Sequence, residues 1–147
     1  MRIASAGQYN TASLAAILAL VFVTYVLWRN YRQRGKLVQG ARIAPAVDAA
    51  LARLFASKTR FVVLSVSRSV YLQFASESNG AVLAEANCPA DNQAAQRALS
   101  TAGLSAVQGP PNYRGSFASA DVGRLPSLAR DYLDALGAGS ISIRVGR

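Results

Sequence analysis

The sequence predicts an α+β protein with a single N-terminal transmembrane helix, followed by a small antiparallel sheet covered by helices. Three observations lead to this prediction. Residues 3–28 carry no charged side chain. Residues 61–86 contain three short segments rich in β-branched and aromatic residues, typical of strands. Residues 92–102 and 125–136 place apolar side chains at helical spacing. The expected order of elements is α-β-β-β-α-(β)-α-β.

The predicted transmembrane helix covers residues 11–28, after a short N-terminal segment of residues 1–10. As a helix, residues 11–28 would span roughly 27 Å at about 1.5 Å per residue, close to the ~30 Å core of a bilayer. Apolar side chains surround the helix, which disfavours a buried helix of a soluble domain. In a cleaved signal peptide the positive charge precedes the apolar stretch, whereas here it follows. We therefore expect a retained membrane anchor.

A basic segment follows the predicted anchor. Five basic residues and no acidic residue occur from Arg29 to Arg42. The positive-inside rule then predicts an inner-membrane protein with its N-terminus outside and its C-terminal domain in the cytoplasm. We read residues 29–44 as a basic juxtamembrane linker and residues 45–147 as the cytoplasmic domain. The residues expected to contact lipid headgroups are Trp28, Arg29, Arg32, Arg34 and Lys36.

Small residues lie on one face of the predicted anchor. Ala15 and Ala19 are four residues apart and so share a helical face. Such a pair lets two helices approach closely. The pair predicts packing against other membrane helices.

The first half of the domain predicts a helix followed by a three-stranded meander. Pro45 can begin a helix, because proline is tolerated in the first turn. Strands are predicted over 61–67, 70–75 and 81–86. The residues Glu77-Ser-Asn-Gly between the second and third strands are typical of a turn. The three strands are expected to be antiparallel.

The second half adds two helices and one or two strands. Asp91 is predicted to cap a helix over 92–102, which Gly103 ends. Residues 109–112 (GPPN) predict a turn, since no helix continues through two prolines. The remaining elements are a short strand over 113–118, a helix over 125–136 that ends at Gly137, and a half-buried strand over 140–145.

The meander FVVLSVSRSVYLQFASESNGAVLAEA, together with the later segments LSTAGL and PPNY, resembles the small domains related to type III secretion chaperones. The resemblance covers about residues 46–145. It implies a non-catalytic domain that holds a peptide or partner segment against its sheet, often as a homodimer. Leu104 stands where an aromatic residue is usual in that group, and the predicted anchor is an addition to it.

Several residue types needed for catalysis are absent. The chain has no histidine, which excludes Ser-His-Asp and Cys-His nucleophile arrangements and histidine metal sites. Cys88 is the only cysteine, so no internal disulfide forms, and we predict a buried small side chain there. No glycine-rich phosphate-binding motif occurs. We therefore predict no enzyme activity and no cofactor.

The net charge of +9 could indicate nucleic-acid binding. However, the excess lies mainly in residues 1–47, and the later basic residues are scattered without a dense patch. We predict no nucleic-acid partner.

Two functions fit these observations. The first is an accessory or stabilising subunit of a larger bacterial membrane complex, with the bilayer and other membrane-protein subunits as its partners. The alternative is a membrane-tethered, chaperone-like adaptor that binds peptide segments of client proteins.

Overall fold

The computed structural model describes residues 11–33, 35–108 and 111–147. The chain divides into two compact units, residues 1–34 and residues 35–147. Helix α1 belongs to the first unit, and every other element described below belongs to the second.

Helix α1 runs from Thr11–Gln33. It contains neither glycine nor proline, so nothing in its sequence breaks the helical hydrogen-bond pattern. The Thr24 hydroxyl donates a hydrogen bond of 2.7 Å to the Leu20 carbonyl one turn earlier, which leaves this polar group satisfied within the helix. Nine large apolar side chains between Leu14 and Leu27 are more than half exposed, whereas Val26 is partly buried.

The predicted transmembrane helix over 11–28 is wrong. Among the described residues, none of the helices combines the length and the apolar character needed to cross a membrane. The prediction counted the polar Thr11 and Ser13 at the N-terminal end of the span and the amphipathic Trp28 at its C-terminal end. The mainly apolar part, Leu14 to Leu27, covers only about 21 Å as a helix, against a bilayer core of ~30 Å. The predicted inner-membrane location, with the N-terminus outside and the domain in the cytoplasm, is contradicted by the same finding.

In its described residues, the unit of residues 35–147 combines three helices with one antiparallel sheet of seven strands, in the spatial order β1-β7-β2-β3-β4-β6-β5. The helices are α2 (Ile43–Phe55), α3 (Gln93–Thr101) and α4 (Leu125–Ala135), with short 3-10 turns at Gly40–Arg42 and Val122–Arg124. The strands are β1 (Lys36–Gln39), β2 (Phe61–Ser65), β3 (Tyr71–Ser76), β4 (Val82–Asn87), β5 (Ser105–Ala106), β6 (Asn112–Phe117) and β7 (Ser140–Gly146). The predicted α+β class of this part, an antiparallel sheet covered by helices, is confirmed.

The meander β2-β3-β4 forms as the sequence predicts. Its register pairs Val63 with Gln73, and Gln73 with Glu85. At the turn before β4, Gly80 adopts a φ of 80°, a left-handed conformation that glycine enters without the steric cost of a Cβ.

The C-terminal strand β7 lies between β1 and β2 and is antiparallel to both. Strand β1 forms within residues 29–44, where the sequence predicted a linker, and it makes one edge of the sheet. Gly35 allows this contact, because a Cβ there would lie 2.6 Å from the backbone carbonyl atoms of Ile143.

All three helices cover the same face of the sheet. One core contains the buried side chains of α2, α3 and α4 and those of alternate strand positions, including Val62, Leu64, Leu72 and Phe74. Tyr132 of α4 is the largest fully buried side chain in it. Successive side chains of a strand point to opposite faces of the sheet, so alternate residues of each strand contribute to this core.

Three local details differ from the prediction. The N-cap of α3 is Asn92, not Asp91: the Asn92 side chain accepts a hydrogen bond of 3.0 Å from the Ala95 N–H. Strand β5 has only two residues and carries no periodic signal, so the sequence did not reveal it. Residues 109 and 110 of the predicted GPPN turn lie outside the described residues.

Candidate interaction surfaces

Helix α1 presents an apolar surface to its surroundings. Nine of its large apolar side chains are between 51% and 68% exposed. They surround the helix rather than forming one stripe, which is unusual for a helix left in water. Contiguous apolar surface of this kind marks an interaction site.

The site residues predicted on α1 are only partly visible. Ala15 and Ala19 lie in α1, share one face and are exposed, as a packing surface would require. The side chains of Trp28, Arg29 and Arg32 lie outside the described residues, as does Arg34 altogether.

Lys36 was also predicted to contact lipid headgroups. It lies in β1, within the unit of residues 35–147. Its side chain is exposed.

The second surface is the face of the sheet opposite the helices, which we call the open face. Three adjacent residues on three neighbouring strands, Phe61, Ala75 and Leu83, are half-buried there. Val63 is only 7% exposed, although it is absent from the core that the helices cover. Its neighbours on the open face therefore shield it.

Phe61 supplies part of this shielding. A Cβ built on Gly146 would collide with the ring atoms of Phe61, so the ring lies across the backbone of β7 at Gly146. The guanidinium of Arg144 lies 5.9 Å from the centre of the same ring, within the range of a cation–π contact. Phe61 thus fills a position that would otherwise be a bare stretch of strand.

Charges flank the apolar centre of the open face. Glu85 and Arg114 face each other on β4 and β6 and form an ion pair of 2.8 Å. Arg144 is exposed on β7 and forms no salt bridge with the described residues. Among the described residues, Arg144 is therefore a cation of the open face that has no acidic neighbour.

The open face was not predicted from the sequence. A signal was present, however: residues 61–64 (FVVL) are apolar without interruption rather than alternating, which indicates a strand with apolar neighbours on both sides. The proximity of Glu85, Arg114 and Arg144 could not be predicted in this way. It depends on how strands that are distant in sequence pair in the sheet.

Within the described residues, Cys88 and Tyr132 are buried groups with perturbed acidity. Burial, and secondly the nearby Asp91 carboxylate, raises the pKa of the Cys88 thiol. Burial also raises the pKa of Tyr132, whose hydroxyl donates to the backbone carbonyl oxygens of Asn87 at 2.7 Å and Tyr71 at 3.3 Å. A raised pKa keeps a thiol protonated and unreactive. The prediction of Cys88 as a buried small side chain is confirmed.

A shallow cleft of about 440 Å³ lies between the β2–β3 connection and the start of α3, and Asp91 is the ionisable side chain that lines it. Within the described residues, no group of three or more Cys, Asp or Glu side chains could hold a metal ion. A single exposed carboxylate offers neither a nucleophile–base pair nor a ligand set.

The chain was compared with protein-family models, with curated proteins and with solved structures, and none of the three comparisons found a match.

Proposed function

We propose that this protein is a non-catalytic assembly subunit, which joins a larger complex by placing α1 against an apolar surface of a partner protein. The exposed apolar side chains of α1 are the observation that carries the proposal. At about 25 cal/mol per Å², covering nine half-exposed large side chains contributes on the order of 10 kcal/mol before the cost of association.

The remaining features support a binding role rather than catalysis. In the described residues, the thiol is buried and no carboxylate cluster exists. The sheet also offers an open face and an edge strand, both of which are common places for protein contact. The unit of residues 35–147 would then supply a second contact or hold α1 in position within the complex.

A second candidate, a chaperone-like adaptor, rests on strand β1. This strand is an edge of the sheet, and Leu37 in it is 64% exposed. An extended client peptide adds to such an edge through main-chain hydrogen bonds, with an apolar side chain for contact. Clients of this kind would be bound weakly and in variable amounts.

Two matched variants separate these functions. Leu18 in α1 and Leu37 in β1 have the same exposure of 64%, so Leu18→Glu and Leu37→Glu make the same chemical change on two surfaces. The tagged full-length chain would be purified in mild detergent and its assemblies weighed by native mass spectrometry. The assembly subunit predicts one complex of fixed stoichiometry, lost in Leu18→Glu and kept in Leu37→Glu.

The opposite pattern, with weak clients lost only in Leu37→Glu, would support the adaptor and contradict the assembly subunit. A chain that is recovered alone, with α1 covered only by detergent or lipid, would contradict both.

A further inference from the structure

We propose that the open face of the sheet binds a second copy of this chain, so that two sheets pack face to face in a symmetric dimer. The inference concerns a surface other than α1 and does not depend on the function proposed above. It rests on the arrangement of charged and apolar side chains along two rows that cross the open face.

The first row is self-complementary in charge. Strand pairing places Arg144, Val63, Gln73 and Glu85 side by side on β7, β2, β3 and β4. A two-fold axis parallel to the strands, above the line between β2 and β3, exchanges the positions of β7 and β4. Each Arg144 then faces Glu85 of the other copy, and the pair occurs twice.

The same axis matches the apolar residues of the second row. This row runs from Gly146 through Phe61 and Ala75 to Leu83. The Phe61 ring occupies the position over Gly146, and the axis brings that position opposite Leu83 of the other copy. An aromatic ring therefore meets a leucine on both sides of the axis.

Arg114 does not disfavour the dimer. It lies on β6, which the axis places opposite β1. The β1 residue in the same row is Gly35, next to Lys36, which pairs with Ile143. Arg114 would thus face a residue without a side chain, and its ion pair with Glu85 remains in place. Each Glu85 then lies between two guanidinium groups, so that Arg144 gains the acidic neighbour that it lacks in a single copy.

The dimensions of the open face allow such a dimer. Five strands about 4.8 Å apart and about six residues long give roughly 500 Å² of flat sheet, and its accessible surface is larger because side chains stand out from it. Stable interfaces bury about 800 Å² per partner. Packed sheets cross at about 30°, which shifts groups ~7 Å from the axis by less than ~4 Å, within the reach of an arginine.

The test uses two charge-reversed variants of the full-length chain in mild detergent, with mass measured by sedimentation equilibrium. Arg144→Glu places two glutamates opposite each other, and Glu85→Arg places two arginines opposite each other. We expect each variant alone to dimerise at least about tenfold more weakly than the natural chain, because like charges face each other at both contacts.

An equimolar mixture of the two variants is expected to recover the dimer, since both Glu–Arg contacts re-form between unlike chains. Arg97→Glu is the matched control: Arg97 is exposed on α3, on the side of the sheet that carries the helices, and its reversal should leave the dimer unchanged.

A natural chain that stays monomeric at micromolar concentration would overturn the proposal. Variants that dimerise as tightly as the natural chain, or a mixture that stays monomeric, would do the same. Leu18→Glu is expected to leave this dimer intact, so a failure here is distinct from a failure of the assembly function.

Discussion

The substitution Tyr132→Phe tests how α4 is attached to the sheet. The Tyr132 side chain is fully buried, and its hydroxyl donates to carbonyl oxygens at the start of β3 and the end of β4. Removing the hydroxyl leaves the carbonyl oxygens of Tyr71 and Asn87 without this hydrogen bond in the interior of the protein. A lost hydrogen bond of this kind costs about 1–2 kcal/mol of the free energy of unfolding.

The effect on the melting temperature follows from the size of the unit. Unfolding entropy is about 2.1 cal/mol/K per residue, so residues 35–147 lose roughly 4 °C in Tm for each kcal/mol. We expect Tyr132→Phe to lower the Tm of the full-length chain by about 4–8 °C, measured by calorimetry in mild detergent.

Tyr113→Phe is the matched control. Tyr113 is also buried, at 6% exposure, but its hydroxyl makes no hydrogen bond within the described part of the chain. Its removal should shift the Tm by less than about 2 °C. Equal shifts in Tyr132→Phe and Tyr113→Phe would refute the role of the Tyr132 hydroxyl.

Alkaline pH should act on the same hydroxyl. The pKa of Tyr132 is raised in the folded chain above its ordinary value of 10.0. Stability is therefore complete below pH 10 and falls above it, because the unfolded chain releases this proton first. The slope is about 1.4 kcal/mol per pH unit. Between pH 10 and 11, the free energy of unfolding should therefore fall less steeply in Tyr132→Phe than in the natural chain, as measured by urea unfolding.

Three further results are expected. Asn92→Ala removes the cap of α3 and should lower the free energy of unfolding by about 1–2 kcal/mol, whereas Asp91→Ala should change it by less than ~0.5 kcal/mol in urea titrations; equal effects would contradict the capping assignment. Gly35→Ala should separate β1 from β7 at a cost of about 1–3 kcal/mol and speed amide exchange in β1, whereas Gly139→Ala, where a Cβ meets open space, should do neither. The Cys88 thiol should react with iodoacetamide at least ~100-fold more slowly in the folded chain than in urea; rapid labelling of the folded chain would show that it is accessible.

Local patterns were sufficient to predict most of the domain. The strands of the meander have β-branched residues at short spacing, and α4 has leucines at helical spacing, so each element reveals itself within about ten residues. Gly103 and Gly137 end α3 and α4 with φ values of 102° and 62°, which glycine adopts easily. The order of elements along residues 45–147, apart from the two-residue strand β5, could therefore be predicted.

The features that were predicted wrongly depend on contacts between distant segments, or on which of two adjacent residues takes a role. Strand β1 has four residues and forms only because β7 lies beside it, which a window of sequence cannot show. Asp91 and Asn92 are both good caps, and Asn92 differs in that its amide also donates to the Ala135 carbonyl at the end of α4. That second bond joins two helices and is invisible in the sequence.

Of the two candidate surfaces, the apolar surface of α1 could be predicted from the sequence and the open face could not. The apolar character of α1 is a property of composition and was evident, but the length over which it persists was overestimated by including Thr11 and Trp28. The open face depends on the register of five strands, which brings Arg144 and Glu85 into one row although they are far apart in sequence. A single sequence contains no local sign of that register.

The central claim is that another protein covers α1. A photoreactive amino acid at position 18, incorporated into the full-length chain in the cells that make it, tests this most directly, with the same group at the exposed position 97 as control. If a partner protein covers α1, we expect one discrete adduct with a single protein at position 18 and none at position 97. Adducts with lipid alone at position 18, or the same mixture of adducts at both positions, would contradict it.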